Sequence, residues 1–349
     1  MINDFGKMNH DFLDSKDLSV LKSLVDNAKR IVLTCHVAPD GDALGSTLAF
    51  CQVLKAMGKN AIVVSPDRPP RSLAFLPGIN DLVAASCNTY QARGLMRNAD
   101  LIICLDFNAL KRLDLLSGPV TSAKAPKVLI DHHLDPENFA AVTFSFPSMA
   151  ATCQLLFHIL DAEGWLGYLD RDGASCLYTG LMTDTGNFSY NSSNPDLYLI
   201  IASLLEKGIE KDDLYTKACN TFSESCMRLN GYALCEKMQV FAEHKAALIV
   251  LTREDLERFG YIKGDTEGLV NKPLAIPGVE YSVFIREDES MIKVSMRSKG
   301  NFPANKLCEQ YFNGGGHRNA AGGEMTLPLT DVVDIFLGSL NDNDKYLNE

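Results

Sequence analysis

Four short apolar runs punctuate the first half of the chain: RIVLTC (30–35), NAIVVSP (60–66), ADLIICLDFN (99–108) and PKVLIDHH (126–133). Helical or loop stretches separate them, such as ALGSTLAFCQVLKAMG at 43–58. Short β-rich runs alternating with helical ones predict an α/β fold with a parallel sheet. The pattern turns helical from about 195 to 242, through DLYLIIASLLEKG, DDLYTKACN and ESCMRLNGYALCEKMQVF. Three further strand candidates follow, AALIVLT, YSVFIRE and SMIKVSMRS, the last two with amphipathic alternation, and then the helical segments ANKLCEQYF and TDVVDIFLGSL. The expected architecture is a parallel-sheet domain over 1–195, a helical connector over 196–242, and a smaller mixed-sheet α/β domain over 243–349 with helices on one face.

Composition limits what such a chain can do. No apolar run reaches the roughly 20 residues that span a bilayer, and the polar stretch MINDFGKMNHDF lacks a signal-peptide pattern. A cytoplasmic protein is expected. The ten cysteines include no CxxC pair, and Cys35, Cys104 and Cys153 sit within apolar runs, so they read as small buried hydrophobes. A formal charge of −11 argues against a protein that coats long nucleic acid. It does not exclude a small phosphorylated ligand, provided metal ions and a few placed cations neutralise it. Residues 291–320 are locally basic, with Lys293, Arg297, Lys299, Lys306 and Arg318 against Glu309 alone.

Acidic and imidazole groups recur where the apolar runs end. HVAPDGDALGS (36–46) follows the first run and carries His36, Asp40 and Asp42; Asp106 ends the third, and Asp131, His132 and His133 end the fourth. Asp184 stands where ASCLYTGLMTDTGNF passes from a small-residue helix into a Gly-containing turn. Ligands of open parallel sheets bind beyond the carboxyl ends of the strands. If these runs are neighbours, all eight groups converge on one crevice. So many carboxylates repel one another unless a positive partner is present, and divalent metal supplies one. Each motif has a plainer reading: Asp-Gly-Asp is a good turn, an Asp at an element end is often a cap, and a His pair can sit on a surface. The conjunction decides, because only seven histidines exist and three of them adjoin these carboxylates. Imidazole mixed with carboxylate suits Mn²⁺, with Mg²⁺ or Co²⁺ as alternatives. Asp40 and Asp42, two apart around Gly41, are expected to face one way from an extended turn, each toward a different ion. A central carboxylate such as Asp106 could bridge ions about 3.5–4 Å apart.

HVAPDGDALGS, LDFN, DHH and TDTGNF resemble the four successive motifs of the DHH phosphoesterase superfamily. FNGGGHRNAAGG (312–323) resembles the signature of the DHH-associated C-terminal domain. The likeness spans nearly the whole chain and is nearest to the nano-RNase/pAp phosphatase branch. It implies that His36, Asp40 and Asp106 hold one ion, and that Asp42, Asp106, His132 and Asp184 hold the second, with Asp106 bridging. It implies that Asp131 orients the site from behind the ligands, and that His133 contacts the scissile phosphate or its leaving oxygen. Two positions depart from the family pattern: Asn313 replaces a glycine often found there, and Gln154 stands where many members carry an acid.

Read from the residues alone, Gly314, Gly315 and Gly316 form a flexible turn whose N–H groups could cradle an anion. His317, Arg318 and Arg297 add charge, and the planar fork of an arginine suits phosphate. The resemblance, together with the small basic patch, implies hydrolysis of short oligoribonucleotides about two to five residues long. The branch also removes the 3′-phosphate of 3′-phosphoadenosine 5′-phosphate (pAp). In both reactions two metal ions activate water. Linear or cyclic dinucleotides are the alternative substrates. A family II pyrophosphatase would lack the GGGH segment, a RecJ-type exonuclease would need more domains, and an inactive nucleotide-binding module would be expected to lose ligands.

Overall fold

The structure, a computed structural model, describes residues 8–347; positions 1–7 of the polar opening stretch and the last two residues lie outside it. The chain forms two compact units that divide between Thr221 and Phe222.

The first unit is built on a six-stranded sheet of β1 (Arg30–Thr34), β2 (Asn60–Ser65), β3 (Val83–Ala84), β4 (Leu101–Leu105), β5 (Lys127–Asp131) and β6 (Val142–Ser145). All its pairings are parallel, in the order β3-β2-β1-β4-β5-β6. The helices are α1 (Ser15–Asn27), α2 (Gly41–Ala56), α3 (Thr89–Asn98), α4 (Ser117–Ser122), α5 (Thr152–Ala162), α6 (Arg171–Asp184), α7 (Pro195–Glu206) and α8 (Lys211–Cys219). The central strands are apolar throughout because helices cover both faces. Ile31, Leu33, Ile103 and Ile130 pack with α1, α2, α5, α6 and α7, while Val32, Ile102, Cys104 and Leu129 face α3 and α4. Each such buried side chain stabilises the fold by about 1.5–3 kcal/mol over its exposed state. The chain winds outward from β1 to β3, then returns to lay β4 on the other side of β1. Strand order thus reverses between β1 and β4, the point where open α/β sheets form their ligand crevice.

Among the described residues the second unit contains α9 (Glu224–Tyr232), β7 (Met238–Phe241), β8 (Ala246–Leu251), α10 (Arg253–Arg258), β9 (Tyr281–Glu287), β10 (Ile292–Ser298), α11 (Ala304–Tyr311), β11 (Gly314–His317), β12 (Ala320–Met325) and α12 (Leu329–Asn343). Its sheet runs β11-β12-β10-β9-β8-β7, antiparallel except for the β8–β9 pair. Helices cover both faces rather than the one expected. Leu248, Val283, Val294 and Met296 pack on α11 and α12, whereas Ile249, Leu251 and Phe284 pack on α9, α10 and a 3₁₀ segment at Leu269–Ala275. Tyr281–Ile285 of β9 is consequently buried on both sides and is not the half-exposed strand its alternation suggests. The helical stretch read as a connector is shared between the units, with α7 and α8 in the first and α9 in the second, and 238–241 is an edge strand. None of the ten cysteines forms a disulfide; Cys35, Cys104 and Cys153 are buried, and Cys87 and Cys235 are exposed. No helix among the described residues is long and apolar enough to cross a membrane.

Candidate metal centre

The acidic and imidazole groups gather at the carboxyl ends of β1, β4 and β5. His36 lies in the loop after β1, and Asp106 immediately follows β4 with φ +65°. A left-handed backbone is uncommon outside glycine and is concentrated at functional sites. Asp40 and Asp42 do not share an extended turn. Asp40 is the N-cap of α2, where its Oδ1 accepts the N–H groups of Asp42 and Ala43, both at 3.0 Å. Oδ2 is left to face His36 Nε2 at 3.7 Å. Asp42, in the first turn of α2, is buried. Its carboxylate accepts the N–H groups of Thr152 (2.6 Å) and Cys153 (2.9 Å), the opening residues of α5, where the helix dipole favours a negative charge. Gly41 is therefore not a hinge between two aspartates. A methyl there would run into the Thr183 hydroxyl of α6, and one at Gly180 would strike the Cys153 sulfur. These glycines let α2, α5 and α6 close together and bring Asp42 near Asp184 at the end of α6.

Asp106 is at the centre. Its Oδ2 is 3.4 Å from His36 Nε2, its Oδ1 is 3.7 Å from His132 Nε2, and the Thr152 hydroxyl donates to Oδ1 at 3.0 Å. His132 Nε2 is also 3.4 Å from Asp184 and 3.9 Å from Asp42. Both imidazoles are oriented by backbone carbonyls, since His36 Nδ1 donates to Val37 O (2.7 Å) and His132 Nδ1 to Met149 O (3.2 Å). That leaves each Nε2 aimed at carboxylate oxygens, an arrangement that needs a proton or a metal cation between them. The donor atoms of His36, Asp40 and Asp106, and those of Asp42, His132 and Asp184, lie within 4.8 Å of one another. This set of imidazoles and carboxylates fits divalent metal.

The same electrostatics act on protons. Burial opposes charge on His36, but Asp106 and Asp40 outweigh it and carry the imidazole up to about 10. Burial likewise opposes charge on His132, and Asp106, Asp42 and Asp184 raise it to about 9. Burial lifts Asp184 to about 7, with His132 opposing and Asp106 assisting. Burial, then Asp106 and Asp184, hold Asp42 well above the usual carboxylate range. Asp106 goes the other way: burial would raise it, yet His36, His132 and His133 keep it below that range.

Asp131 and His133 are coupled, with His133 Nδ1 donating to Asp131 Oδ1 at 2.7 Å. The second oxygen of Asp131 is buried and has no hydrogen-bond partner among the described residues. His133 Nε2 meets Arg112 Nη1 at 2.9 Å. Arg112 went unread in the sequence, as did Thr152. The available signal for Arg112 was a basic residue six positions beyond Asp106 in the same loop. Gln154 is buried in α5, where its Oε1 accepts the Ala150 N–H at 2.7 Å.

In the second unit the glycines make a strand rather than a turn. Gly314–His317 pairs with Ala320–Gly323, leaving Arg318 and Asn319 to turn the hairpin. A methyl at Gly316 would stand 2.6 Å from Ala320 O, and one at Gly314 would overlap Gly322 O, so the backbones meet without side chains between them. Asn313 has φ +48°, a conformation asparagine tolerates, which accounts for its taking a glycine's place. Arg297 pairs with Ala320, which in turn pairs with His317. The Arg297 guanidinium donates to Met296 O at 2.9 Å. The His317 side chain lies outside the described ones.

Residues 30–181 match the DHH family, N-terminal domain, and residues 245–342 match the DHHA1 domain. The bifunctional oligoribonuclease and PAP phosphatase NrnA of Thermus thermophilus is 32% identical over 297 residues, 84% of this chain and 84% of its own. The protein of the same name from Bacillus subtilis is 26% identical over 313 residues, 89% of this chain and 93% of its own. A crystal structure of an exopolyphosphatase-related protein from Bacteroides fragilis superimposes with a TM-score of 0.96 at 43% identity, covering 98% of this chain and 100% of that one. With both family models matched and a relative 32% identical over 84% of each chain, the chain belongs to the DHH family and carries a DHHA1 domain behind its DHH domain.

Proposed function

We propose that this protein is a metal-dependent phosphoesterase that hydrolyses short oligoribonucleotides to mononucleotides and pAp to AMP. The observation that carries the reading is Asp106, whose two oxygens face two separate imidazoles, each oriented with Nε2 toward the carboxylates. His36, Asp40 and Asp106 would hold one ion and Asp42, Asp106, His132 and Asp184 the other, with Mn²⁺ the ion best suited to the mixed donors. Bound there, divalent ions supply Lewis acidity and lower the pKa of the attacking water. Thr152 and the N-terminus of α5 keep Asp106 and Asp42 in place. His133, backed by Asp131, serves the phosphate side of the centre. In the second unit Arg297 and the Gly314, Gly315, Gly316, His317 strand hold the substrate's nucleotide, the flat glycine backbone letting it approach closely. The substrate classes are those named for the relatives from T. thermophilus and B. subtilis.

The test is product analysis with 5′-labelled RNA of two to twenty-four nucleotides, pAp, and linear and cyclic dinucleotides. Activity is expected to fall steeply beyond about five nucleotides, since the overall acidic surface repels longer chains. Arg297→Ala should raise KM for short RNA and leave bis-p-nitrophenyl phosphate hydrolysis unchanged. Equal rates on the shortest and longest RNA, or turnover confined to cyclic dinucleotides, would refute the reading.

A further inference from the structure

Arg112 is a cation that the structure brings into direct contact with a motif histidine beside the metal-ligand cluster. It lies in a 3₁₀ segment at Leu110–Leu116, and its backbone carbonyl accepts the Val37 N–H at 2.8 Å. That bond fixes the segment to the loop bearing His36. The Leu110 N–H, donated to Glu137 at 2.9 Å, secures its other side. The guanidinium is only partly exposed, and among the described residues it forms no ion pair with a carboxylate. Its contact is with an imidazole nitrogen.

That contact settles the state of His133. A guanidinium only donates, so Nε2 accepts, and the ring proton is on Nδ1, given to Asp131. In this arrangement His133 has no Nε2 proton to offer a substrate. The Arg112 guanidinium has further N–H groups in its planar fork. The charge balance shows where they are needed. Ionised carboxylates of Asp40, Asp42, Asp106 and Asp184 would offset the charge of two divalent ions held there. A phosphate entering that centre would be met by the positive charge of Arg112.

We propose that Arg112 is a substrate-binding residue that grips a non-bridging oxygen of the scissile phosphate, and that the Asp131–His133 pair is the bracket that holds its guanidinium in place. This assignment rests on the phosphoesterase reading above and divides the labour within that site. His133 is then a positioning residue, acting through Arg112.

The experiment compares wild type, Arg112→Met and Arg112→Lys as full-length Mg²⁺-loaded proteins. It reads metal content, affinity for inorganic phosphate by calorimetry, the ¹⁵N signals of the histidine ring nitrogens, and steady-state kinetics on a dinucleotide. In wild type the His133 ring should be protonated on Nδ1 with a metal-free Nε2 acceptor, distinct from the metal-bound Nε2 of His36 and His132, and its Nε2 signal should shift in Arg112→Met. That variant should keep its metal, bind phosphate about tenfold or more weakly, and lose about 10²–10³-fold in kcat, as when a preorganised oxyanion donor is removed. Arg112→Lys should recover part of the phosphate affinity; if Arg112→Met fails to fold, this variant and the wild-type spectrum carry the test. Unchanged phosphate affinity and KM in a folded variant would overturn the assignment, as would a wild-type His133 protonated on Nε2. Phosphate binding that depends on Arg112 in a protein that hydrolyses none of the RNA panel would sustain the assignment and refute the proposed substrates instead.

Discussion

Gly45 of α2 lies so close to Cys176 of α6 that a methyl on residue 45 would stand 2.5 Å from the Cys176 carbonyl oxygen. Backbone does not yield as a side chain does, so the helices would have to separate. Because α2 carries Asp42 and α6 ends in Asp184, this contact sets the width of one side of the metal centre. Gly45→Ala is expected to destabilise the protein by about 1–3 kcal/mol in urea unfolding, the usual effect of overpacking. Metal affinity should fall as well, which metal titration of the variant checks.

Asp184 is a liability in the metal-free protein. It sits at the C-terminal end of α6, where the helix dipole disfavours a carboxylate, and burial has already raised it to about 7. Asp184→Asn should raise the Tm of chelator-treated protein at pH 8 by about 2–4 °C or more, the shift that 1 kcal/mol produces in a domain of this size. The same variant should lose most of the Tm gain that wild type shows on adding Mn²⁺. Scanning calorimetry with and without metal reads both effects.

The protons on the cluster make metal-free stability pH-dependent. His36 and His132 rise from 6.5 to about 10 and 9, and Asp184 rises from 3.8 to about 7. In each case the folded protein binds the proton more tightly than the unfolded chain, so stability is greatest at low pH and is lost as pH rises. Asp184 acts from about pH 4 to 7 and the histidines from about pH 6.5 to 10. The metal-free protein should therefore lose stability steadily across pH 7–10. Metal binding must displace these protons, so affinity should climb over the same interval and calorimetric heats should vary with the buffer's ionisation enthalpy. Heats independent of buffer would rule out the linkage.

What was legible in the chain follows from what constrains a residue type. Strands buried on both faces must be apolar without a break, so RIVLTC, LIICLD and KVLID declare themselves. Histidines are few, so His36 and His132 beside aspartates stand out. Gly45 and Gly180 say nothing by themselves, because a small residue in a helix is common until the neighbouring helix is known. Gly314–Gly316 suggested a turn because free glycine prefers one. Their strand conformation comes from Gly322, Gly323 and the C-terminal end of α11, which press on them. Arg112 was hidden because it reaches the centre from an irregular segment with no period to read.

Asp106 allows the sharpest distinction between one metal site and two. Of the ligand candidates it alone faces both His36 and His132, with Oδ2 toward the first and Oδ1 toward the second. A residue serving one ion would, on truncation, leave the other bound. Asp106→Ala should instead lower metal content at both positions and abolish hydrolysis. Asp40→Ala, removing an exposed carboxylate that caps α2 and, among the ligand imidazoles, faces His36, should empty one position and leave the His132 side occupied. Truncating Asp106 also leaves two buried imidazoles without their shared counter-charge, so both should titrate at lower pH than in wild type. Metal analysis after gel filtration, with histidine ¹H–¹⁵N titration of the metal-free proteins, measures each consequence. Retention of two ions by Asp106→Ala with near-normal turnover would show that the carboxylate bridges nothing.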